Sequence, residues 1–404
     1  ALAVNGQLGG RLVVNAGGRL GGAGTVGDAL VSGTVAPGNS IGTLNVAGNI
    51  AFNPGSTYEV EIDAAGASDR VVAAGTATIN GGAVNVLAGA GNYAQQTQYT
   101  ILTAAGGRTG TFTGVTSNLA FLDPALSYDA GNVYLTMTRN GTSFRNVGLT
   151  WNQVAAGGGV ENLGLGNPVH NAVLSLSADQ ARGAFDQLSG EIHASARTAL
   201  IEDSRFLRNA VNDRLRAASD SVVTYENGKP VAAPVTTDRF AFWGQGFGSW
   251  GRTDGDGNAA KLERKTGGFF IGADAPVFGN WRLGAVAGYS RSDFDVKGRQ
   301  SSGESDNYHL GLYGGANWGA LTLRTGAAYT WHDISTNRTV SFPGFGDRLK
   351  GDYGAGTTQL FGELAYGFAL GATRIEPFAN LAYVSLHTDG FRETGGAAAL
   401  TGAA

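Results

Sequence analysis

The chain has 404 residues with 66 Gly, no Cys, five His, one Met and a net charge of −4. It is too long for one ordinary domain and too rich in glycine for a helical protein, and the missing cysteines leave no disulfide or thiolate metal site. Weak charge without a basic cluster argues against nucleic acid, because neutralising phosphates needs concentrated Lys and Arg. No run of some 18 apolar residues exists for a transmembrane helix, so membrane crossing would need a closed sheet. The start, Ala-Leu-Ala-Val, lacks an initiator Met and a basic-then-apolar leader, and a signal peptide with further sequence is expected upstream.

Residues 1–56 carry short β-branched runs separated by glycine, such as Arg11-Leu-Val-Val-Asn15 and Gly42-Thr-Leu-Asn-Val46, about every 15 residues. Strands at a constant spacing, none able to bury its apolar face alone, predict stacked coils of a parallel β-solenoid. Over 57–145 the runs lengthen, as in Thr57-Tyr-Glu-Val-Glu-Ile62 and Asn132-Val-Tyr-Leu-Thr-Met137, and predict a β-rich cap on the last coil. Gly22-Ala-Gly24-Thr-Val-Gly27 fits the dinucleotide fingerprint, and Gly38-Asn-Ser40-Ile-Gly42 fits the nucleophile elbow. Both lead into another strand where those motifs require a helix, so both are assigned to coil turns. The His residues offer Ser40 no triad, and no catalytic, cofactor-binding or metal residue is assigned.

Across 146–216 the apolar period lengthens from two to about 3.6 and predicts helices. Ser177-Ala-Asp-Gln180 is a capping box opening a helix to Leu188, and Gly190 interrupts it. A single helix is predicted over 191–216, with Ile192, Ala196, Leu200, Leu207, Val211 and Leu215 near one face and Arg197, Arg205, Arg208, Arg214 and Arg216 interleaved with Glu202, Asp203 and Asp213. At ~1.5 Å per residue it would be nearly 40 Å long, enough to thread a bilayer-height pore. Residues 217–238, with Asn227-Gly228, Pro230 and Pro234, read as a flexible linker.

From 239 to 404 apolar residues recur at every second position. Strands are expected near 239–251, 265–277, 281–291, 305–318, 321–332, 357–369 and 373–388, joined alternately by tight turns (Gly279-Asn280, Gly319-Ala320, Gly371-Ala372) and by long polar loops at 252–264, 292–304 and 333–356. Trp281, Tyr289, Tyr308, Trp318, Tyr329, Trp331, Tyr366 and Tyr383 lie toward the ends of apolar stripes, where amphipathic rings meet lipid headgroups. Arg282, His309, Asn317, Arg324, Glu363, Glu376 and Asn380 fall on the opposite parity and would line a wet lumen. The fold class is therefore mainly β: a parallel β-solenoid with its cap, a helical pore segment, then an antiparallel outer-membrane β-barrel.

Several stretches resemble the type V secretion autotransporters, whose C-terminal barrel accompanies export of the chain's own N-terminal passenger. Ala36-Pro-Gly-Asn-Ser-Ile-Gly-Thr-Leu44 is similar to the passenger-end turn, Tyr99-Thr-Ile-Leu-Thr-Ala-Ala105 and Leu126-Ser-Tyr-Asp129 to the autochaperone cap, Leu188-Ser-Gly-Glu-Ile-His-Ala-Ser195 to the approach to the pore helix, and Phe242-Trp-Gly-Gln-Gly-Phe-Gly248 to the first barrel strand. The resemblance implies a translocator that exports and tethers a passenger at the surface of a Gram-negative cell, with outer-membrane lipid, the barrel-assembly machinery and periplasmic chaperones as partners and no cofactor. It also implies a twelve-stranded barrel, of which about seven strands are expected here, so a stable closed pore is not expected from 239–404 alone. An adhesin-like passenger is expected from the extended solenoid; the alternative is an esterase or protease whose catalytic part lies upstream. Some members cut the pore helix by Asn cyclisation. Asn209 and Asn212 are the candidate positions, although the family's Asn-Asn pair is absent.

Overall fold

The computed structural model forms two compact units, residues 1–189 with 341–346 and residues 190–340 with 347–404. It describes residues 1–219, 221–226, 229–234, 240–370 and 373–404, with side chains described outside 219–239 and 369–374. Each unit is built on β-structure, and among the described residues no helix is long and apolar enough to cross a membrane.

In the first unit every coil adds one strand to each of three parallel sheets. The register places like positions above one another: Leu20, Val35, Tyr58 and Val84 in one sheet, Leu44, Val71 and Leu102 in the second, Val31, Phe52 and Ile79 in the third. None of these side chains is more than 2% exposed, so the alternation seen in sequence resolves into apolar columns filling the coil interior. The Phe52 ring packs edge-on against Phe112 with centroids 5.2 Å apart and lies 5.7 Å from Tyr58.

The coils do not end at residue 56. Thr57–Ile62, Ala83–Ala88 and Gly114–Ser117 continue the first sheet, so the longer runs are coil strands of the same kind. The antiparallel layer is confined to Leu122–Tyr128 and Asn132–Arg139, which pair with each other and onto Gln96–Ala104. A register shift between Thr100 and Leu102 lets Ile101 and Leu102 both be fully buried. The dinucleotide-like glycines have a packing role: a Cβ at Gly22, Gly24 or Gly27 would lie within 2.2 Å of a carbonyl oxygen of the preceding coil. Ser40 sits in an exposed turn, as its context implied.

Asp69 ties two coils together. Its carboxylate accepts the Gly42 N–H at 2.8 Å and the Glu61 N–H at 2.9 Å while the residue is 1% exposed. Burial pushes its carboxyl up to about 6, against the two N–H donors and with Glu61 and Glu59 adding to the rise. A carboxyl raised in the folded state binds its proton more tightly there than in the unfolded chain. Its stabilising contribution is thus complete below the ordinary carboxylate range and is lost as pH rises through about 6. The stability difference between the parent chain and Asp69→Asn, measured by urea unfolding followed at the solenoid, is expected to shrink from pH 4 to pH 7; parallel curves would contradict this.

Three helices follow: Trp151–Leu163, Pro168–Leu174 and Ala178–Leu188, the last with both bonds of the Ser177/Gln180 capping box in place.

The second unit begins at Gly190, whose φ of +67° suits glycine. The segment expected as one helix over 191–216 is two, Glu191–Asp203 and Arg205–Ser219. The Ser204 hydroxyl donates to Ile201 O at 2.7 Å, a local bond of the kind that competes with a helix interior. Of the linker expected at 217–238, residues 220, 227–228 and 235–238 lie outside the described residues, as does the turn Gly371-Ala372. Ser221–Glu226 and Lys229–Pro234 pair as an antiparallel ribbon where an open linker was expected; β-branched Val222, Val223 and Thr224 favour a strand.

Seven strands then form one antiparallel sheet in chain order: Ala241–Thr253, Leu262–Val277, Trp281–Val296, Ser301–Trp318, Leu321–Phe342, Phe345–Tyr366 and Phe378–Thr388. Two of the expected long loops are strand. Ser292 pairs with Ser305 and Phe294 with Gly303, and the fifth and sixth strands run on to Phe342 and from Phe345. A ladder needs no lipid to continue, and an inward column of Phe294, Val296, Ile334, Val340 and Leu349 persists beneath a polar outer face.

Candidate functional site: the helix held on the inner face of the sheet

Which face meets oil is decided by exposure. Leu310, Leu312, Leu364 and Leu381 are 53%, 69%, 50% and 81% exposed on the outside, whereas Arg324 and Glu363 are 2% and 1% exposed within. A soluble barrel would reverse this arrangement. The eight aromatics expected at the interface stand on the outer face, with Trp281 and Tyr289 half-buried and the other six exposed. Trp281 meets Trp318, Tyr289 meets Tyr308 and Tyr329 meets Trp331, at centroid distances of 5.8, 5.6 and 4.7 Å. Leu312→Arg is therefore expected to cost about 2–4 kcal/mol of barrel stability in lipid, the usual cost of a cation near the bilayer midplane. Unfolding titrations in vesicles check this, and an effect within ±0.5 kcal/mol, typical of a water-facing position, would contradict it.

The two helices lie against the inner face in alternating apolar and polar tiers. Near the tight-turn end, Arg214 donates to both oxygens of Asp274 at 2.7 and 2.8 Å, Arg282 also donates to Asp274, and Tyr313 donates to it at 2.7 Å. Trp243 Nε1 donates to the Tyr313 hydroxyl at 2.6 Å. Arg216 reaches Glu363 at 2.5 Å, and Arg324 bridges Glu363 and Glu376 at 2.7 Å each. Above this, Leu207, Ala210, Val211 and Leu215 pack on Phe270, Val286, Ala328 and Phe361.

At the helix break Asp203 accepts from Thr266 at 2.6 Å and from Ser292 at 2.8 Å. His309 lies 2.9 Å from both Ser290 and Thr330, and His332 contacts Asn307 and Thr357. A second apolar tier joins Ile192, Ala196 and Leu200 to Leu262, Phe294 and Ile334. At the hairpin end Glu191 pairs with Arg299 at 2.9 Å, and His193 with Glu393, itself held bidentately by Arg338 at 3.0 and 2.7 Å.

Each wall charge thus meets a helix charge of opposite sign or a hydrogen bond, which lets a charged rod occupy a partly dry interior. Glu202 pairs with Arg264, and Arg208 donates to Gln359 at 3.4 Å. Asn380 donates to Glu363 at 3.4 Å, while Asn317 lies exposed near the turn, its N–H directed at Asn280 O. Two expected positions face away: Arg197 and Arg205 are exposed, and the Arg205 guanidinium lies over the Phe206 ring at 5.0 Å. The helix partner of Glu363 is Arg216 because height decides: eleven residues at ~1.5 Å set Arg205 about 16 Å above it. Of the candidate cleavage positions, Asn209 is exposed and Asn212 is 2% exposed with its Oδ1 lacking a partner among the described residues.

Asp274, His193, Arg338 and Glu393 were missed as lumen residues. Asp274 was readable, being a charge on the inward parity of Phe270 and Gly272 in an otherwise uncharged stretch, Thr266–Val277. Glu393 was not, since it follows the last long strand and is placed by a short pairing of Phe391–Arg392 with Thr401–Gly402.

A family model described as the autotransporter beta-domain matches residues 242–404. The chain belongs to the type V autotransporters. Its sheet is accordingly seated in the outer membrane of a Gram-negative bacterium, with tight turns on the periplasmic side and hairpin tips at the cell surface. Two extracellular serine proteases of Serratia marcescens are 38% and 34% identical over 99% and 90% of this autotransporter chain. The chain spans 42% and 39% of the lengths of those relatives. The translocator domain of the autotransporter NalP from Neisseria meningitidis superposes with a TM-score of 0.39 at 18% identity, covering 52% of this chain and 66% of that one.

Proposed function

We propose that the 190–404 unit exports the chain's own N-terminal part and then tethers it, the two helices remaining on the inner face as a plug and the solenoid forming the surface-proximal end of the passenger. The observation that supports this most directly is the pairing of two helix arginines with two buried wall carboxylates, Arg214 with Asp274 and Arg216 with Glu363. A charge series on the helix tests it: Arg214→Glu and Arg216→Glu each reduce the passenger retained on intact cells, whereas Arg216→Lys, which keeps the charge opposite Glu363, preserves retention. Equal retention in all three variants would overturn the tethering role. The antiparallel layer on the last coil acts in this reading as the template on which the passenger folds, and assembly into the membrane is served by periplasmic chaperones and the barrel-assembly machinery.

For the passenger, the extended solenoid surface suits adhesion, and the naming of two relatives as extracellular serine proteases favours a proteolytic passenger as the second reading. Ser40, on an exposed turn, has no catalytic partner among the described residues and is not the nucleophile in that case. Labelling of surface-released passenger by a fluorophosphonate separates the two.

A further inference from the structure

The outer face of the first four barrel strands changes character along its height. Nearest the turns, Phe242, Gly244, Ile271, Ala285, Ala287 and Leu310 line an apolar hollow of about 590 Å³. Above it Gly248 and Gly267 stand side by side in register next to Arg291. A Cβ at Gly248 would meet nothing within 4 Å, which leaves a bare strip of backbone. Above the strip opens a groove of about 780 Å³ whose lining includes Trp250, Arg252, Lys265 and Asp293. Trp250, Lys265 and Asp293 form one cross-strand row, and Arg252, Glu263 and Asp295 form the next.

Height places the charged rows at the headgroups. From Trp281 to Asp293 the third strand advances twelve residues. At ~3.3 Å per residue and a tilt of ~40° that rises about 30 Å, against an apolar band about 25 Å tall. The acids of the groove are largely committed: Glu263 holds Lys261 and Lys297 at 2.7 Å each, and Glu304 and Asp293 share Arg291. Asp295 remains, one row further from the membrane than Lys265. Lys265 has no ion-pair or hydrogen-bond partner among the described residues, and Arg252 has only Asp254 at 3.9 Å. Beside them the Trp250 ring is 82% exposed, a flat apolar platform of the kind that stacks on sugar rings.

We propose that this face binds an outer-leaflet glycolipid, with a phosphorylated sugar between Lys265, Arg252 and Trp250, its tail crossing the glycine strip and an acyl chain in the hollow. An amphipathic ligand is required because the apolar hollow and the groove that presents Lys265 and Arg252 lie one above the other on the first four strands. This surface adds to the tethering role and depends on the outer-membrane location alone.

The test is native mass spectrometry of the full-length protein released from vesicles containing a bisphosphorylated glycolipid, the same glycolipid after phosphatase treatment, or phosphatidylglycerol. The parent protein is expected to retain the phosphorylated glycolipid over both others. Arg252→Glu with Lys265→Glu is expected to lower retention at least about tenfold, as loss of charge-assisted contacts implies, and Gly248→Phe to lower it by filling the strip without altering charge. Equal retention of the dephosphorylated form, or unchanged retention in both variants, would overturn the proposal. Complete displacement by millimolar inorganic phosphate would assign the groove to a free anion and overturn the lipid.

Discussion

Replacing Glu363 with alanine is expected to destabilise the barrel unit by about 3 kcal/mol, the lower end of the cost of breaking a buried ion pair from one side. Glu363 is 1% exposed and serves both Arg324, which is 2% exposed, and Arg216 from the helix. Its removal leaves Arg324 with Glu376 alone and with an Nε that already has no partner among the described residues. Arg216 is better placed, since Asp213 lies 3.1 Å away and its side chain is 35% exposed. The loss therefore resides mainly in the wall. Glu363→Gln, which keeps an acceptor, is expected to fall between parent and alanine. Paired replacement of Arg324 and Glu363 by Met and Leu is expected to recover most of the loss, because no uncompensated charge remains. Thermal melts in detergent, read as conversion of the compact band on unheated gels, rank these variants. An alanine variant that melts with the parent would show that the pair contributes nothing.

Phe52→Ala is expected to cost about 3–5 kcal/mol in the solenoid, the range for deleting a buried aromatic side chain. The ring is fully buried between Val31 and Ile79 in its own column and touches Tyr58 and Phe112 across the coil. Tyr58 cannot easily move to fill the hole because its hydroxyl donates to the Ile101 carbonyl. In stacked coils a lost contact weakens the nearest neighbours first. Hydrogen exchange is therefore expected to quicken most in Ala29–Val31 and Ala77–Ile79, the strands paired with Ile50–Phe52, and least in the barrel strands. Uniform quickening across 1–139 would contradict the nearest-neighbour picture.

The parts of the fold legible in the sequence were those where one face of an element is buried or lipid-exposed over its whole length. Alternation gave Leu312 and Leu364 to the outside and Arg324 and Glu363 to the inside, and put the aromatic ends of the stripes on the outer face, as the girdle expected at the headgroups requires. The same rule failed above the girdle. There the outer face of Ser292–Val296 and Ile334–Val340 is polar while the inner face keeps its apolar column, so the signal that separates lipid from water no longer applies. The inward residues Phe294, Val296, Ile334 and Val340 still alternated, and weighting them over the charges on the outer face would have extended the strands.

In the helices the apolar stripe identified Ile192, Ala196, Leu200, Leu207, Val211 and Leu215 correctly, since it follows from the 3.6-residue period alone. Charge pairing did not follow from period. Matching Glu363 to Arg216 instead of Arg205 needs the axial position of the helix against the strands, which depends on how far the Ser204 break and the Gly190 turn displace it. In the solenoid, residue spacing gave the coils but not their number. The strands after residue 57 lengthen without leaving the sheet, and only their parallel pairing reveals it.

The Leu-rich face of the barrel strands meets lipid while the polar face holds the helix. The chain has no native cysteine, so single cysteines can be read without background. Leu312→Cys, Leu364→Cys, Thr330→Cys and Thr357→Cys, each carrying a bimane, are to be placed in vesicles of brominated lipid. Strong quenching at 312 and 364 with none at 330 and 357 is the expected result. Quenching at 330 and 357, with 312 and 364 dark to the bromines, would contradict it and return the sheet to a soluble β protein.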